Sequence, residues 1–151
     1  MMLNLGPIRY LKQKVVSLEL LVNQALKDVF SQNEDLLIEI QTQIQLFQKG
    51  ETSKRISITP SYAQSTINKK RRKNQPFNRV TLKDTGALYD SVKFEALDDS
   101  LVITTNVPYT KYLTAKYGAD IFGIQNLEME KFLQKYYLPF YERFAKNLLF
   151  T

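Results

Sequence analysis

From the N-terminal end, apolar residues recur at alternating intervals of three and four: Ile8, Leu11, Val15, Leu18, Val22, Ala25 and Val29. That spacing lines them along one stripe of a helix about six turns long. Asn4-Leu5-Gly6-Pro7 reads as its start, with proline early enough that its missing N–H is harmless. Ser31 followed by Glu34 has the capping-box pattern for a second helix, whose apolar face is Leu37, Ile40, Ile44 and Phe47 and whose stop is Lys49-Gly50. The first fifty residues therefore read as a helical hairpin or one long broken helix.

The rhythm then shortens. Ile56 and Ile58 alternate with Ser57 and Thr59, a short strand ended by Pro60. Residues 61–73 read as a short helix with a basic end, broken by Asn74-Gln75-Pro76, and Val80-Thr81-Leu82 as a brief extended piece. Thr85 is placed to cap a short helix running through Leu88, Tyr89 and Val92. The clearest hairpin joins Phe94–Leu97 to Leu101–Thr105 across Asp98-Asp99-Ser100. Pro108 opens a helix over Tyr109–Tyr117 that Gly118 stops. Asn126 caps a final helix with Met129, Leu133, Tyr136, Phe140, Phe144 and Leu148 on one face, kinked at Pro139. The sum is a single α+β domain spanning residues 1–151. Helices at the N- and C-termini pack around a small antiparallel sheet, and residues 52–83 form a basic loop or arm.

Composition narrows the chemistry. A hydrophobic share of 44% with nine Phe and nine Tyr is enough for a real core in 151 residues. The chain has no Cys and no His, which rules out disulfides, thiolate nucleophiles, cysteine–zinc sites and any histidine base or ligand. Catalysis would have to rest on carboxylates, Lys or Tyr. Neither a signal-peptide core nor an apolar run of membrane-spanning length is visible, so a protein made and kept in a cytoplasm, or in a particle assembled there, is expected.

Net charge is +6, unevenly placed. Between Thr52 and Lys83 stand nine cations (Lys54, Arg55, Lys69, Lys70, Arg71, Arg72, Lys73, Arg79 and Lys83) and no acid. Taking those nine from a total of 21 leaves 12 against 15 acids elsewhere, a net of −3, so one segment carries the whole basic excess.

Three constellations are candidates for function. Asp84-Thr85-Gly86-Ala87 matches the catalytic loop of retroviral-type aspartic proteases, in which two carboxylates share a proton. Ile121-Phe122-Gly123 mimics that family's downstream element. Lys83, however, stands where that loop needs an apolar residue, and its charge favours an ionised neighbour. A turn or helix cap is the better reading. The run Lys69-Lys70-Arg71-Arg72-Lys73, with Arg79, suits phosphate backbone or the acidic face of a partner, without base recognition. The aromatic cluster Tyr109, Tyr112, Tyr117, Phe122, Phe132, Tyr136, Tyr137, Phe140, Tyr141 and Phe144 is more than a core of this size requires; half of it is expected inside, and Tyr109, Tyr112, Tyr117, Phe122, Tyr137 and Tyr141 are the candidates for a subunit interface.

The middle of the chain carries an ordered series of short motifs. It runs Phe47-Gln48-Lys49-Gly50, Ile58-Thr59-Pro60-Ser61-Tyr62, Ser65-Thr66-Ile67, Lys69-Lys70, then Arg79-Val80-Thr81-Leu82-Lys83-Asp84-Thr85-Gly86-Ala87-Leu88-Tyr89-Asp90-Ser91, and finally Tyr109 to Tyr112 with Tyr117-Gly118. Over roughly residues 40–125 this order resembles the tail-completion and virion-morphogenesis (head–tail joining) proteins of long-tailed bacteriophages and prophages. It departs from them at Asn74, where a glycine often stands.

The resemblance implies a structural virion protein without an active site, metal or cofactor. Such a protein assembles as a ring, a hexamer or dodecamer, at the neck or tail. Its implied partners are copies of itself, adjacent neck, portal or tail-tube proteins, and the phage genome passing through the lumen, with no membrane. It also implies mechanical roles: Thr85 or Asp84 caps the short helix, Gly86 permits close packing, Leu88 and Val92 point inward, and Ser91 closes the helix before the hairpin. The rival from the residues alone is a small, non-sequence-specific nucleic-acid-binding accessory protein.

Overall fold

The computed structural model describes residues 6–98 and 100–150. Asn4, Leu5 and Asp99 lie outside the described residues, as do the side chains of Ile8, Leu11, Val15, Leu18, Phe144 and Leu148. The architecture is α+β: helices stand at both ends of the chain and flank a two-stranded antiparallel sheet.

Helix α1 (Gly6–Gln32) carries Pro7 in its first turn, where N–H groups lack intrahelical partners anyway. Its inward stripe buries Ala25 and Val29. The expected capping box at Ser31 does not form, because α1 continues through Ser31. Asn33 occupies the turn and its Nδ2 donates to the Val29 carbonyl at 2.8 Å. Glu34, freed from capping, accepts the backbone N–H of Phe94 at 3.0 Å.

Helix α2 (Glu34–Glu39) runs without a break into a π-helical segment, Ile40–Lys49, which Gly50 ends with a left-handed φ of 63°. The wider π turn changes which residues face inward. The four-residue apolar stripe expected from a 3.6-residue period holds at Leu37 and Ile40, but Leu46 is buried in place of Ile44 and Phe47, together with Gln41, Thr42 and Gln45.

The next stretch folds back over this segment instead of standing away as an arm. Ile58, Val80 and Thr81 are all buried. The expected strand at Ile56–Thr59 reduces to one antiparallel bridge, Glu51 with Ser57, and Ile56 is 61% exposed. Residues 80–82 form no strand because Leu82 takes a left-handed φ of 57°. Between them lies α3 (Gln64–Arg72).

Helix α4 (Ala87–Ser91) starts after Gly86, which holds φ 98° at the cap position. The capping role expected of Asp84 is absent, since its carboxylate pairs with Lys73, while Thr85 Oγ1 accepts the Ala87 N–H at 3.3 Å. Gly86 is needed for its backbone angle, not for close packing: a side chain there would come no nearer than 3.7 Å to Asp90. Leu88 and Val92 are buried, and Ser91 Oγ donates to the Leu88 carbonyl at 2.8 Å at the helix end.

The hairpin pairs β1 (Lys93–Ala96) with β2 (Leu101–Thr104) in the register Lys93 to Thr104 and Phe94 to Ile103. Helix α5 (Thr110–Tyr117) ends at Gly118, which takes φ 90°. Helix α6 (Asn126–Phe132) begins at Asn126, so the cap position belongs to Gln125, whose side chain makes no capping bond. The final helix then widens into a π turn over Leu133–Tyr137 before α7 (Leu138–Phe150). The disturbance falls just before Pro139, where a missing donor and a crowded ring disrupt the regular ladder.

Two apolar clusters hold these elements. One gathers Leu46, Ile58, Val80, Leu88, Tyr89 and Ile121; the other gathers Val29, Leu37, Val92, Phe94 and Phe132, with Phe30 stacked on Phe132 at 5.7 Å.

A clasp of buried glutamines ties the π segment to the chain after α5. Gln41 donates to the Ile121 carbonyl at 2.9 Å and accepts the Gly123 N–H at 2.7 Å. One turn on, Gln45 donates to the Gly123 carbonyl at 2.7 Å and accepts the Gln125 N–H at 2.8 Å. Each side-chain amide thus pairs with an extended backbone as a neighbouring strand would. Gln125 extends the network to Glu51 Oε2 at 3.0 Å and the Thr52 carbonyl at 3.1 Å.

Candidate functional site: a lysine-lined cleft

Helix α3 contains no glycine or proline, and its Gln64 donates to Asn68 one turn later at 3.0 Å. Its last turn is wholly basic, which suits the partial negative charge of a helix C-terminus. Consecutive residues on a helix point about 100° apart. Four successive cations therefore cannot share one face, and they divide: Lys69, Arg71 and Arg72 are exposed, whereas Lys70 is buried at 6% exposure.

The Lys70 ammonium donates to the Lys83 carbonyl at 2.6 Å and to Gln75 Oε1 at 3.4 Å, and it lies 4.9 Å from the centre of the Tyr62 ring. All of these partners are neutral. The loop that delivers them turns at Asn74, which takes a left-handed φ of 56°. Gln75 also donates to the Asp84 carbonyl at 2.7 Å, stitching the two arms of the loop together.

Tyr62 organises the wall beside Lys70. Its hydroxyl accepts the N–H groups of Thr81 at 2.9 Å and Leu82 at 3.1 Å, where the chain makes its left-handed turn. The Tyr89 hydroxyl donates to the Thr81 carbonyl from below. Burial pushes the Tyr89 phenol well above the ordinary tyrosine range.

These pieces enclose a cleft of about 480 Å³ between α3, the 75–85 loop and α5. Lys69, Lys70, Lys73, Gln75, Asp84 and Thr85 form its polar side; Tyr62, Leu82, Tyr109, Leu113 and Tyr117 supply the apolar and aromatic side. The Lys83 ammonium is held elsewhere, over the rings of Phe47 at 4.9 Å and Tyr89 at 5.4 Å.

Asp84 is the one carboxylate in the lining, and Lys73 binds it at 2.6 Å. That hydrogen bond, helped by the charges of Lys73, Lys70 and Lys69 and opposed by slight desolvation, holds the Asp84 carboxyl below the usual carboxylate range. A shared-proton dyad needs the reverse, a carboxyl that retains its proton.

The other expected contact residues fall in several places. Arg79 is half-buried and fastened, with Nε donating to the Phe47 carbonyl and Nη1 to Asn78 Oδ1, both at 2.8 Å. Arg71 lies over Phe77 at 4.6 Å. Tyr109 and Tyr112 are exposed at 42% and 66%. Tyr117 and Phe122 pack against the first apolar cluster, and Tyr137 against the second with Tyr141 stacked on it at 5.9 Å.

Sequence reasoning placed the lysines together but missed that Lys70 turns inward and that α5 closes the cleft. The helical spacing of Tyr109, Leu113 and Tyr117 was the available signal for the second point. Among the described residues no three carboxylates converge to hold a metal ion, and no helix is long and apolar enough to cross a membrane. Comparisons with family models, curated proteins and solved structures find no match for the chain.

Proposed function

We propose that this chain is a structural component of a tailed-phage virion that assembles with copies of itself into a ring at the neck or tail, completing the tail or joining it to the head. The observation that carries this reading is the exposure of Tyr109 and Tyr112, 42% and 66%, at the cap and first turn of the helix that borders the basic cleft. Three residues apart, they lie on neighbouring positions of one helical surface. The two apolar clusters are filled by other residues, and tyrosine suits an interface that is half wet.

Charge segregation supports the same reading. The cations gathered at the cleft can meet the net negative remainder of another copy, and contacts between unlike faces close into rings when the rotation permits. The ordered motifs from Phe47 to Gly118 fall within one continuous fold and add to the argument. The partners proposed are further copies, neighbouring neck, portal or tail-tube proteins, and the genome in the lumen. No catalysis or cofactor is part of the proposal.

Light scattering across a concentration series, with images of particles carrying the labelled protein, tests it. The expected result is a closed oligomer that Tyr112→Glu dissociates and a label at the neck or tail. A label found elsewhere in the particle, or absent from it, refutes the proposal.

The exposed cations favour a second reading, a nucleic-acid-binding accessory protein. Lys69 and Arg72 have no carboxylate partner among the described residues, and Arg71 meets a ring instead of an acid. Because Lys70 points into the cleft, away from a strand lying across the surface, and Lys73 is paired, three cations of this helix, Lys69, Arg71 and Arg72, remain for a phosphate backbone. The expected salt dependence of DNA binding is then a log–log slope of about −3. A steeper slope, near −6, would require the whole segment to contact DNA.

A further inference from the structure

Lys70 is a charged side chain, more than nine-tenths buried, whose hydrogen bonds go to a carbonyl and an amide oxygen. A buried ammonium normally has an anion beside it, because neutral oxygens return only part of the lost hydration. Around it, the cleft lining contributes Lys69 and Lys73 against the single carboxylate of Asp84. Three ammonium groups and one carboxylate leave a surplus of two positive charges, with the Lys83 ammonium left out because it is held over Phe47 and Tyr89.

A phosphate monoester carries about −1.5 to −2 at neutral pH. It matches that surplus better than a lone carboxylate does. The rest of the cleft is unsuited to a free inorganic ion, since Tyr62, Leu82, Tyr109, Leu113 and Tyr117 add aromatic and apolar lining beside the lysines. Tyr109, at the exposed end, has a ring face on which a planar base can stack. The volume, about 480 Å³, falls within the roughly 300–1,000 Å³ of small-molecule sites.

We propose that this cleft binds a nucleoside monophosphate group, with the phosphate among Lys69, Lys70 and Lys73 and the base against Tyr109 and the apolar wall. The group comes either as a free nucleotide or as the phosphorylated end of a nucleic-acid strand; the chemistry recognised is the same. Asp84 is then an internal competitor, occupying Lys73 until phosphate displaces it. The inference shares Tyr109 with the virion reading, which places that ring between copies, but it is measured separately, by nucleotide affinity and not by oligomer size.

Titration calorimetry on the full chain tests it, using adenosine 5′-monophosphate, adenosine, inorganic phosphate, a 5′-phosphorylated thymidine octamer and a decapeptide of glutamate. The nucleotide should bind about tenfold or more tightly than either adenosine or phosphate alone. Lys70→Met and Lys73→Met should each weaken it about tenfold. Asp84→Asn should tighten it several-fold, a gain that a damaged fold does not produce. Should Lys70→Met fail to fold, Lys73→Met and Asp84→Asn carry the test. Tyr109→Ala should weaken nucleotide but leave phosphate unchanged.

Octamer binding that matches the nucleotide assigns a strand end, and nucleotide binding that excludes the octamer assigns a free ligand; both uphold the proposal. It is overturned by an absence of saturable nucleotide binding at millimolar concentration. Indifference of nucleotide affinity to Asp84→Asn, or a glutamate decapeptide binding more tightly than the nucleotide, also overturns it, the last result giving the cleft to an acidic protein segment.

Discussion

The glutamine clasp offers the sharpest test of what holds the two halves of the chain together. Replacing Gln45 by leucine keeps similar bulk but removes both hydrogen bonds of its amide. The Gly123 carbonyl and the Gln125 N–H lose their partners at 2.7 and 2.8 Å, and Gln125 is only 2% exposed, so little water can replace them. A buried polar group left without a partner costs about 1–3 kcal/mol. Two such groups, one of them partly accessible, give an expected loss of about 2–4 kcal/mol. Set against a total stability of about 5–15 kcal/mol for a single domain, that is a large share. With a urea slope of about 2 kcal/mol/M, the midpoint should fall by about 1–2 M at unchanged slope.

Gln41→Leu should behave similarly, since Gln41 holds the Ile121 carbonyl and the Gly123 N–H. Both glutamines grip Gly123, so the double variant should lose less than the sum of the singles by at least about 0.5 kcal/mol. Hydrogen exchange at the Gln125 amide should accelerate in step with the urea result. A loss below about 0.5 kcal/mol for Gln45→Leu, with the Gln125 amide still protected, would refute the idea that these amides stand in for a strand.

Gly123→Ala should destabilise by at least about 2 kcal/mol in thermal or urea unfolding, because the added carbon meets Ser53 Cβ at 2.8 Å and φ is 127°; Ser53→Gly should restore the part due to contact. Tyr89 titrates higher in the fold than in the unfolded chain, so its contribution is complete below about pH 10 and is lost as pH rises beyond it. Tyr89→Phe should flatten that alkaline decline and, by leaving the Thr81 carbonyl unpaired, cost about 1–3 kcal/mol at neutral pH. Phe132→Ala, which removes a 3%-exposed ring stacked on Phe30, should cost about 3–5 kcal/mol by the same unfolding assay. Lys73→Ala should change stability by less than about 1 kcal/mol, because its pair with Asp84 is solvent-exposed.

Elements whose signals are local were legible in the sequence. The hairpin at Lys93–Thr104, the stops at Gly50 and Gly118, and the helix after Pro108 all follow from turn chemistry within a few residues. Features decided by distant partners were not. Gln41 and Gln45 look like solvent-facing residues at a 3.6-residue period; their burial depends on a π turn and on backbone some eighty residues away. Glu34 matched a capping box, but the Phe94 amide, sixty residues on, took its carboxylate. Ile56 had the alternation of a strand, but its segment pairs only briefly with residues 50–52 and its side chain is exposed. At the cleft, the density of lysines was readable. Which one turned inward was not, because that depends on the Lys83 carbonyl and Gln75, which the fold alone brings together.

The bond from Phe94 to Glu34 has a bearing on the open edge of the hairpin. A two-stranded ribbon leaves an outer border of unpaired amides that invites another chain to extend it. Here the Phe94 amide points away from β2 and is already held by a carboxylate, which can accept but not donate. An incoming strand would have to displace that carboxylate from a position next to the buried Phe94 ring. Growth by sheet extension along this side is therefore obstructed.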